Sequence, residues 1–221
     1  MTKIDWKNRS AAEKSGQVWR TMGIIGAGRG VGVTHTAVWA ANYLTGVRRE
    51  KTAVLEWNDH RDFNRMRQFC RSGRQAAVTG WARIGKRTAC DGAALPFQIL
   101  GADYYGQADA RILADCLSRS YRRILVDFGE FTETNLAECA RCDRKLVIGS
   151  WAEWKAGAFL ELAGRSLEWD ESWRLAAVFG SSETRKAWEK VFGKPCLRIP
   201  FSEDACLVRW EDMKFFHVLF E

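Results

Sequence analysis

The residues of this sequence most suited to chemistry form a glycine-rich run from Gly26 to Thr34, which reads Gly-Ala-Gly-Arg-Gly-Val-Gly-Val-Thr. The run follows a short apolar segment and opens a strongly apolar helical pattern. Glycines let the backbone wrap closely around an anion, and the N–H groups of the turn and of the following helix then point at phosphate. The pattern therefore predicts a phosphate-binding loop rather than a plain glycine-rich turn. Its predicted nucleotide-binding residues are Gly26, Gly28, Arg29, Gly30, Val31, Gly32, Val33, Thr34 and His35.

The loop departs from the usual nucleotide-binding pattern at one chemically important position. That pattern reads G-x-x-x-x-G-K-[ST], with a lysine on the terminal phosphates and a hydroxyl on magnesium. Alignment on Gly32 and Thr34 places Val33 at the lysine. A hydrogen bond to a charged group is worth about 1.5–3 kcal/mol, so we expect nucleotide affinity to be about ten- to a hundredfold weaker and phosphoryl transfer to suffer more. Arg29 either compensates in part or, as we favour, points to solvent or to a partner.

The loop belongs to a repeating pattern of short apolar runs and helical segments, which predicts an α/β fold with a mostly parallel sheet and helices on both faces. We predict strands at Thr21–Ile25, Ala53–Trp57, Phe97–Leu100, Arg123–Phe128, Lys145–Gly149, Arg174–Phe179 and Cys196–Ile199. Helices are predicted at Val33–Leu44, Asp62–Cys70, Ala108–Ser118, Glu133–Cys142, Trp151–Leu162 and Ser182–Val191.

The same pattern predicts one domain over residues 21–221 and an N-terminal extension at 1–20. The apolar end, Cys206–Glu221, is interpreted as a helix that completes the core, with docking against a second subunit as the alternative. The seven cysteines have irregular spacings, and the pair Cys139 and Cys142 lacks a second ligand pair, which favours buried, reduced thiols.

The loop, the next strand and the strand Arg123-Ile-Leu-Val-Asp-Phe-Gly129 together resemble the ParA/MinD family of P-loop ATPases. The resemblance covers roughly Thr21 to Ser202. It implies a P-loop NTPase fold and ATP or ADP with Mg as the cofactor. The family carries a further lysine near the start of the loop, and the matching position here is Gly28, so both family lysines are absent.

The resemblance also implies roles for three acidic or hydroxyl residues. Asp127 matches the magnesium-coordinating position, alongside Thr34, and a carboxylate that ends a buried strand is costly without a partner. Glu56 matches the position that orients the attacking water, and Asn58 replaces a second aspartate. The family's adenine-contacting asparagine, expected just after Phe179, is not present.

The net charge of +7 is concentrated in one segment. Arg61 to Cys90 contains eight basic residues and one acidic residue. Such a surface suits phosphate-rich partners, although a solvated helical face with a loop is the interpretation we favour. The basic patch is predicted at Arg61, Arg65, Arg67, Arg71 and Arg74.

These features favour a degenerate, TadZ-like member of the family, a pseudo-ATPase with weak or absent nucleotide binding that acts as a dimerising scaffold or localisation protein. We expect a homodimer with a further protein partner. The alternatives are an active Mg-ATP-dependent ATPase that positions or partitions cellular cargo, and sequence-independent DNA binding through the basic region Arg61–Arg87. The polar start and the lack of an apolar run of about 20 residues predict a cytoplasmic protein without a membrane span.

Overall fold

The computed structural model describes residues 19–71, 96–165 and 170–221, with the backbone alone for Arg71. Each predicted strand is found in these ranges, and one further strand is present. The strands are β1 (Thr21–Gly26), β2 (Thr52–Glu56), β3 (Phe97–Ile99), β4 (Ala102–Tyr105), β5 (Arg123–Glu130), β6 (Arg144–Ser150), β7 (Trp173–Val178) and β8 (Cys196–Arg198).

The described residues also form seven α-helices and one short 3-10 helix, Trp210–Asp212. The helix predicted from Ala108 begins at Ala110, because the Asp109 side chain accepts a hydrogen bond from the Ile112 N–H and caps it. The helices are α1 (Val33–Gly46), α2 (Asp62–Arg71), α3 (Ala110–Ser118), α4 (Glu133–Ala140), α5 (Glu153–Arg165), α6 (Ser182–Phe192) and α7 (Met213–Phe220).

The strands form a single sheet in the order β3-β4-β2-β5-β1-β6-β7-β8. All neighbouring pairs are parallel except β3 and β4. The central strands are buried along nearly their whole length, as expected for parallel strands covered on both faces. The predicted α/β fold is confirmed. The parallel order places the carboxyl ends of β2, β5, β1 and β6 along one edge.

Strand β4 was not predicted from the sequence. It pairs antiparallel with β3 through a two-residue turn at Leu100 and Gly101, which have φ angles of 48° and 88°. Leucine is an unusual residue at a left-handed turn position, where asparagine or glycine is usual. The pattern therefore lacks the signal that normally marks such a hairpin.

The chain's end completes the core on one face of the sheet. Helix α7 buries Phe216, which stacks on Tyr43 of α1 at 4.5 Å between ring centroids. Trp19, the start of the described chain, is buried and stacks on Phe220 at 5.6 Å. The core-completing interpretation of the C-terminal segment is thus the one the structure shows. None of the helices within the described ranges is both long and apolar enough to cross a membrane.

Of the six cysteines within the described ranges, all are free thiols; four are buried, as predicted, and Cys70 and Cys206 are partly exposed. Cys139 and Cys142 lie against Gly23 of β1, where a Cβ atom would come within 2.6 Å of the Cys139 Sγ. Burial raises the pKa of Cys142 to about 12. Both thiols are therefore protonated packing groups at neutral pH.

Candidate functional site

The glycine-rich run forms the turn between β1 and α1. Gly30 and Gly32 adopt left-handed backbone conformations with φ angles of 70° and 88°, which residues with a Cβ atom rarely adopt. The Ala27 N–H donates to the Ile148 carbonyl at 2.8 Å and so ties the start of the turn to β6. Gly32 occupies the N-cap of α1, and no side chain caps that helix end. The first N–H groups of α1 therefore have no side-chain cap, which is the arrangement that an anion-binding loop requires.

Val33 fills the position of the missing lysine with an apolar contact. Its side chain is buried and turned back beneath the turn, so that a Cβ atom at Gly26 would lie 2.7 Å from the Val33 Cγ2. A Val31 methyl group packs against the same point. Methyl groups of Val31 and Val33 thus pack against Gly26 under the loop, and α1 contains no lysine or arginine.

Thr34 and Asp127, the two residues predicted to hold magnesium, are in direct contact. The Thr34 hydroxyl donates to the Asp127 Oδ2 at 2.7 Å, and the Gly129 N–H donates to the Oδ1 at 2.9 Å. Burial raises the pKa of Asp127 to about 6, and these two hydrogen bonds oppose that rise.

A hydroxyl and a carboxylate oxygen are the ligands that Mg²⁺ prefers, so the pair fits such an ion. Across the described ranges, no group of three or more His, Cys, Asp or Glu residues could hold a metal by itself. An ion at Thr34 and Asp127 would therefore complete its coordination with phosphate oxygens and water.

Glu56 lies beside Asp127 in the sheet, since the two are register partners in β2 and β5. Its side chain is fully buried, and burial raises its pKa. The Phe63 N–H donates to Oε1 at 3.1 Å and the Gln107 N–H donates to Oε2 at 3.4 Å. Both carboxylate oxygens thus anchor backbone, one of them at the first turn of α2. Asn58 also has a structural contact, because its Nδ2 donates to the Asp127 carbonyl at 3.0 Å.

Arg29 is exposed and lies on one side of the loop, at the rim of a cleft of about 690 Å³. Asn58, His60 and Glu130 also line this cleft, which opens over the ends of β2 and β5. No hydrogen bond joins the Arg29 guanidinium to another described residue. Its position matches the expectation that it points to solvent or to a partner.

A smaller cavity of about 270 Å³ opens on the other side of the loop. Gly30, Gly32 and His35 line it, facing Phe179 and Phe201. The His35 Nε2 is buried without a hydrogen-bond partner in the described chain, and burial lowers the His35 pKa.

The aromatic residues of this cavity were missed from the sequence. Phe179 has a φ angle of 60° and is 62% exposed. A left-handed conformation is unfavourable for a bulky residue and is often found at functional positions. Gly180 packs on Trp151, and the Ser181 side chain caps α6, so both residues just after Phe179 have structural contacts.

Lys155, in the first turn of α5, is a second residue that sequence reasoning missed. Its Nζ donates to the Arg29 carbonyl at 2.8 Å, within the loop. The available signal was topological: β6 pairs with β1, so the helix that follows β6 begins next to the loop that follows β1. Spacing along the chain alone does not reveal this contact.

The predicted basic patch falls only partly within the described residues. Arg65 pairs with Asp62 at 2.7 Å, and the Arg67 guanidinium lies 5.3 Å from the Phe97 ring centroid. Arg61 is exposed. The Arg71 side chain and Arg74 lie outside the described residues.

No protein-family model and no curated protein matches the sequence. Solved structures do match the fold. A putative plasmid partition protein from Borrelia burgdorferi B31, bound to AMPPNP, aligns with a TM-score of 0.58 and 12% identity over 91% of this chain and 96% of that chain. A chain of the MinC:MinD cell division protein complex of Aquifex aeolicus gives a TM-score of 0.55 and 12% identity over 89% of this chain and 84% of that chain.

A ParA family ATPase from Chlorobium tepidum TLS gives a TM-score of 0.53 and 14% identity over 91% of this chain and 88% of that chain. Identities this low establish the fold and nothing finer. The chain therefore has the fold of P-loop NTPases, and its structural neighbours include ParA and MinD proteins.

Proposed function

We propose that this chain is a ParA/MinD-like pseudo-ATPase, which binds Mg-nucleotide weakly and acts as a dimerising scaffold or localisation protein. The observation that carries the proposal is a contrast between two positions of the site. Thr34 and Asp127 still present the oxygen pair that suits magnesium, while Val33 has closed the lysine position with an apolar contact. A site of this kind keeps the groups that bind a nucleotide and lacks the charge that accelerates phosphoryl transfer.

The contacts of Glu56 support the absence of efficient turnover. Both of its oxygens accept backbone N–H groups, and the side chain is fully buried. A carboxylate held in this way can accept from a water molecule only through its remaining lone pairs, and it cannot swing toward the loop without breaking these bonds. When bound, the magnesium ion would neutralise phosphate charge, and Thr34 and Asp127 would position it.

The role as a dimerising scaffold is supported by apolar side chains near the loop. Phe201 is 78% exposed, and Trp154, next to Lys155, is 81% exposed. Large exposed aromatic groups are typical of contact surfaces. Light scattering of the purified protein with and without MgATP measures the mass directly. A monomer at every protein and nucleotide concentration would contradict the dimerising role.

The central test is calorimetric titration with MgATP and MgADP of the wild type beside Val33→Lys. We expect weak binding by the wild type and a gain of about ten- to a hundredfold in the variant, since a charged hydrogen bond is restored. A phosphate-release assay accompanies the titration. Wild-type turnover that Glu56→Ala abolishes would identify an active ATPase instead. Absence of binding by both proteins at millimolar nucleotide would refute the nucleotide site.

A further inference from the structure

The loop lacks a cation from α1, yet one ammonium group lies against it from elsewhere. Two other basic side chains lie near the nucleotide-binding side of the chain. Arg29 lines the larger cleft, and Arg198 lines the smaller cavity. Lys155 differs from both because its Nζ is hydrogen-bonded to the loop itself, at 2.8 Å from the Arg29 carbonyl oxygen.

The position of this ammonium is set by the turn and by Gly30. A Cβ atom built on Gly30 would lie 3.1 Å from the Lys155 Nζ. The ammonium therefore lies next to the loop backbone, in close contact with the position that a Cβ atom would take at Gly30. Gly30 has a φ angle of 70°, and it both permits the turn and leaves room for the lysine.

Local structure holds Lys155 in this place. The loop is tied to β6 by the bond from the Ala27 N–H to the Ile148 carbonyl. After β6, the Ser150 side chain accepts a hydrogen bond from the Ala152 N–H at 3.1 Å, and the Lys155 N–H donates to the Ala152 carbonyl at 2.8 Å. These bonds fix the first turn of α5 relative to the loop. The Lys155 side chain is thereby held within reach of the Arg29 carbonyl.

The ammonium also retains capacity to bind an anion. It has three N–H donors, and the Arg29 carbonyl takes one of them. Within the described part of the chain, no carboxylate forms an ion pair with it. A lysine that is held by a neutral carbonyl and is not paired with an acid can still form charge-assisted hydrogen bonds with a phosphate.

We propose that Lys155 supplies, from α5, the positive charge for the terminal phosphates of a bound nucleotide that Val33 cannot supply from α1. This proposal rests on the weak nucleotide binding proposed above. It makes Lys155 a binding residue that discriminates ligands by the number of their phosphates.

The test compares Lys155→Met and Lys155→Arg with the wild type in titrations of MgATP, MgADP and AMP. Lys186→Met is the matched control, since Lys186 is an exposed lysine on α6. We expect Lys155→Met to weaken MgATP binding about ten- to a hundredfold and MgADP binding less, with AMP nearly unchanged. Lys155→Arg should retain most of the MgATP affinity, and Lys186→Met should match the wild type.

A purely structural clamp would give a different result, because a loosened loop would weaken all three ligands by the same factor. A second variant, Val33→Lys in the Lys155→Met background, separates the two roles. A lysine restored from α1 should recover the preference for ATP over AMP if charge is what was lost. Equal losses for the three ligands, or no effect of Lys155→Met on a wild type that binds MgATP, would overturn the role of Lys155 alone. A wild type that binds none of them would overturn the nucleotide site, and this role with it.

Discussion

Replacing Asp127 by asparagine is expected to stabilise the metal-free protein at pH 7.5. Asp127 is completely buried, and burial raises its pKa from 3.8 to about 6. Above pH 6 the folded protein holds the Asp127 carboxylate in its ionised form in a buried site, where it is solvated less well than in the unfolded chain. The rise corresponds to a destabilisation of about 3 kcal/mol relative to a neutral group.

The sign of the pH dependence follows from proton binding. Between pH 3.8 and 6 the folded state holds the Asp127 proton and the unfolded state has lost it, so this group makes the wild type less stable as pH rises through that window. Asparagine does not titrate. The stability of Asp127→Asn relative to the wild type should therefore fall by about 2 kcal/mol between pH 7.5 and pH 4.5.

Asparagine can keep both contacts of the aspartate. Its Oδ1 can accept from the Gly129 N–H, and its Nδ2 can donate to the Thr34 hydroxyl, which reverses the direction of that one bond. The variant should thus remove the charge, but the Thr34 hydroxyl hydrogen loses its acceptor and the second Nδ2 hydrogen gains none, so the net stabilisation is smaller than the charge contribution alone. The variant also lacks the carboxylate predicted to bind magnesium. Added MgATP should therefore stabilise the wild type and not the variant.

Urea unfolding in EDTA at pH 7.5 and pH 4.5 measures these differences. Asp143→Asn is the matched control with the opposite sign. Burial alone would raise the pKa of Asp143, but hydrogen bonds from the Thr21 and Arg20 N–H groups, each 2.8 Å long, outweigh it and lower the pKa. Asp143→Asn should therefore destabilise the protein at pH 7.5. An Asp127→Asn variant less stable than the wild type at pH 7.5 would refute the reasoning.

Three further predictions concern packing, and urea unfolding at neutral pH checks each of them. Gly149→Ala should cost about 1–3 kcal/mol, because the new Cβ would lie 2.0 Å from the Phe159 ring, and unchanged stability would contradict the close approach of α5 to β6. Gly157→Ala, on the exposed face of the same helix, meets no atom within 4 Å and should add about 0.5–1 kcal/mol. Phe216→Ala should cost about 3–5 kcal/mol, since this fully buried ring packs between Trp39 and Tyr43, and a loss below 1 kcal/mol would show that α7 is not part of the core.

Much of the fold could be predicted from the sequence, because the parallel strands are continuous apolar runs and the helices between them show a clear period. The glycine-rich turn could also be predicted, since Gly30 and Gly32 occupy positions at which the backbone adopts positive φ angles. Strand β4 could not be predicted in the same way. Its hairpin turns on Leu100, and no local rule assigns a left-handed turn to leucine.

The candidate site was predictable only for residues that a motif describes. Thr34 and Asp127 come from separate segments, yet each occupies a recognised position, and the structure brings them to 2.7 Å. The contacts of Glu56 were not accessible from its position in the sequence, because they depend on where the Phe63 and Gln107 N–H groups lie in three dimensions. A residue at a catalytic position can therefore be held by purely structural contacts.

Lys155 illustrates what would have been needed to predict the rest. No motif includes it, and 126 residues separate it from its partner in the loop. Strand order supplies the missing step: in a sheet where β6 lies next to β1, the two turns that leave their carboxyl ends must be neighbours. A chain that loses a charge from the turn after β1 can regain it most directly from the turn after an adjacent strand, either β5 or β6. The search for compensating residues in eroded nucleotide sites should therefore follow the order of strands in the sheet rather than the order of residues in the chain.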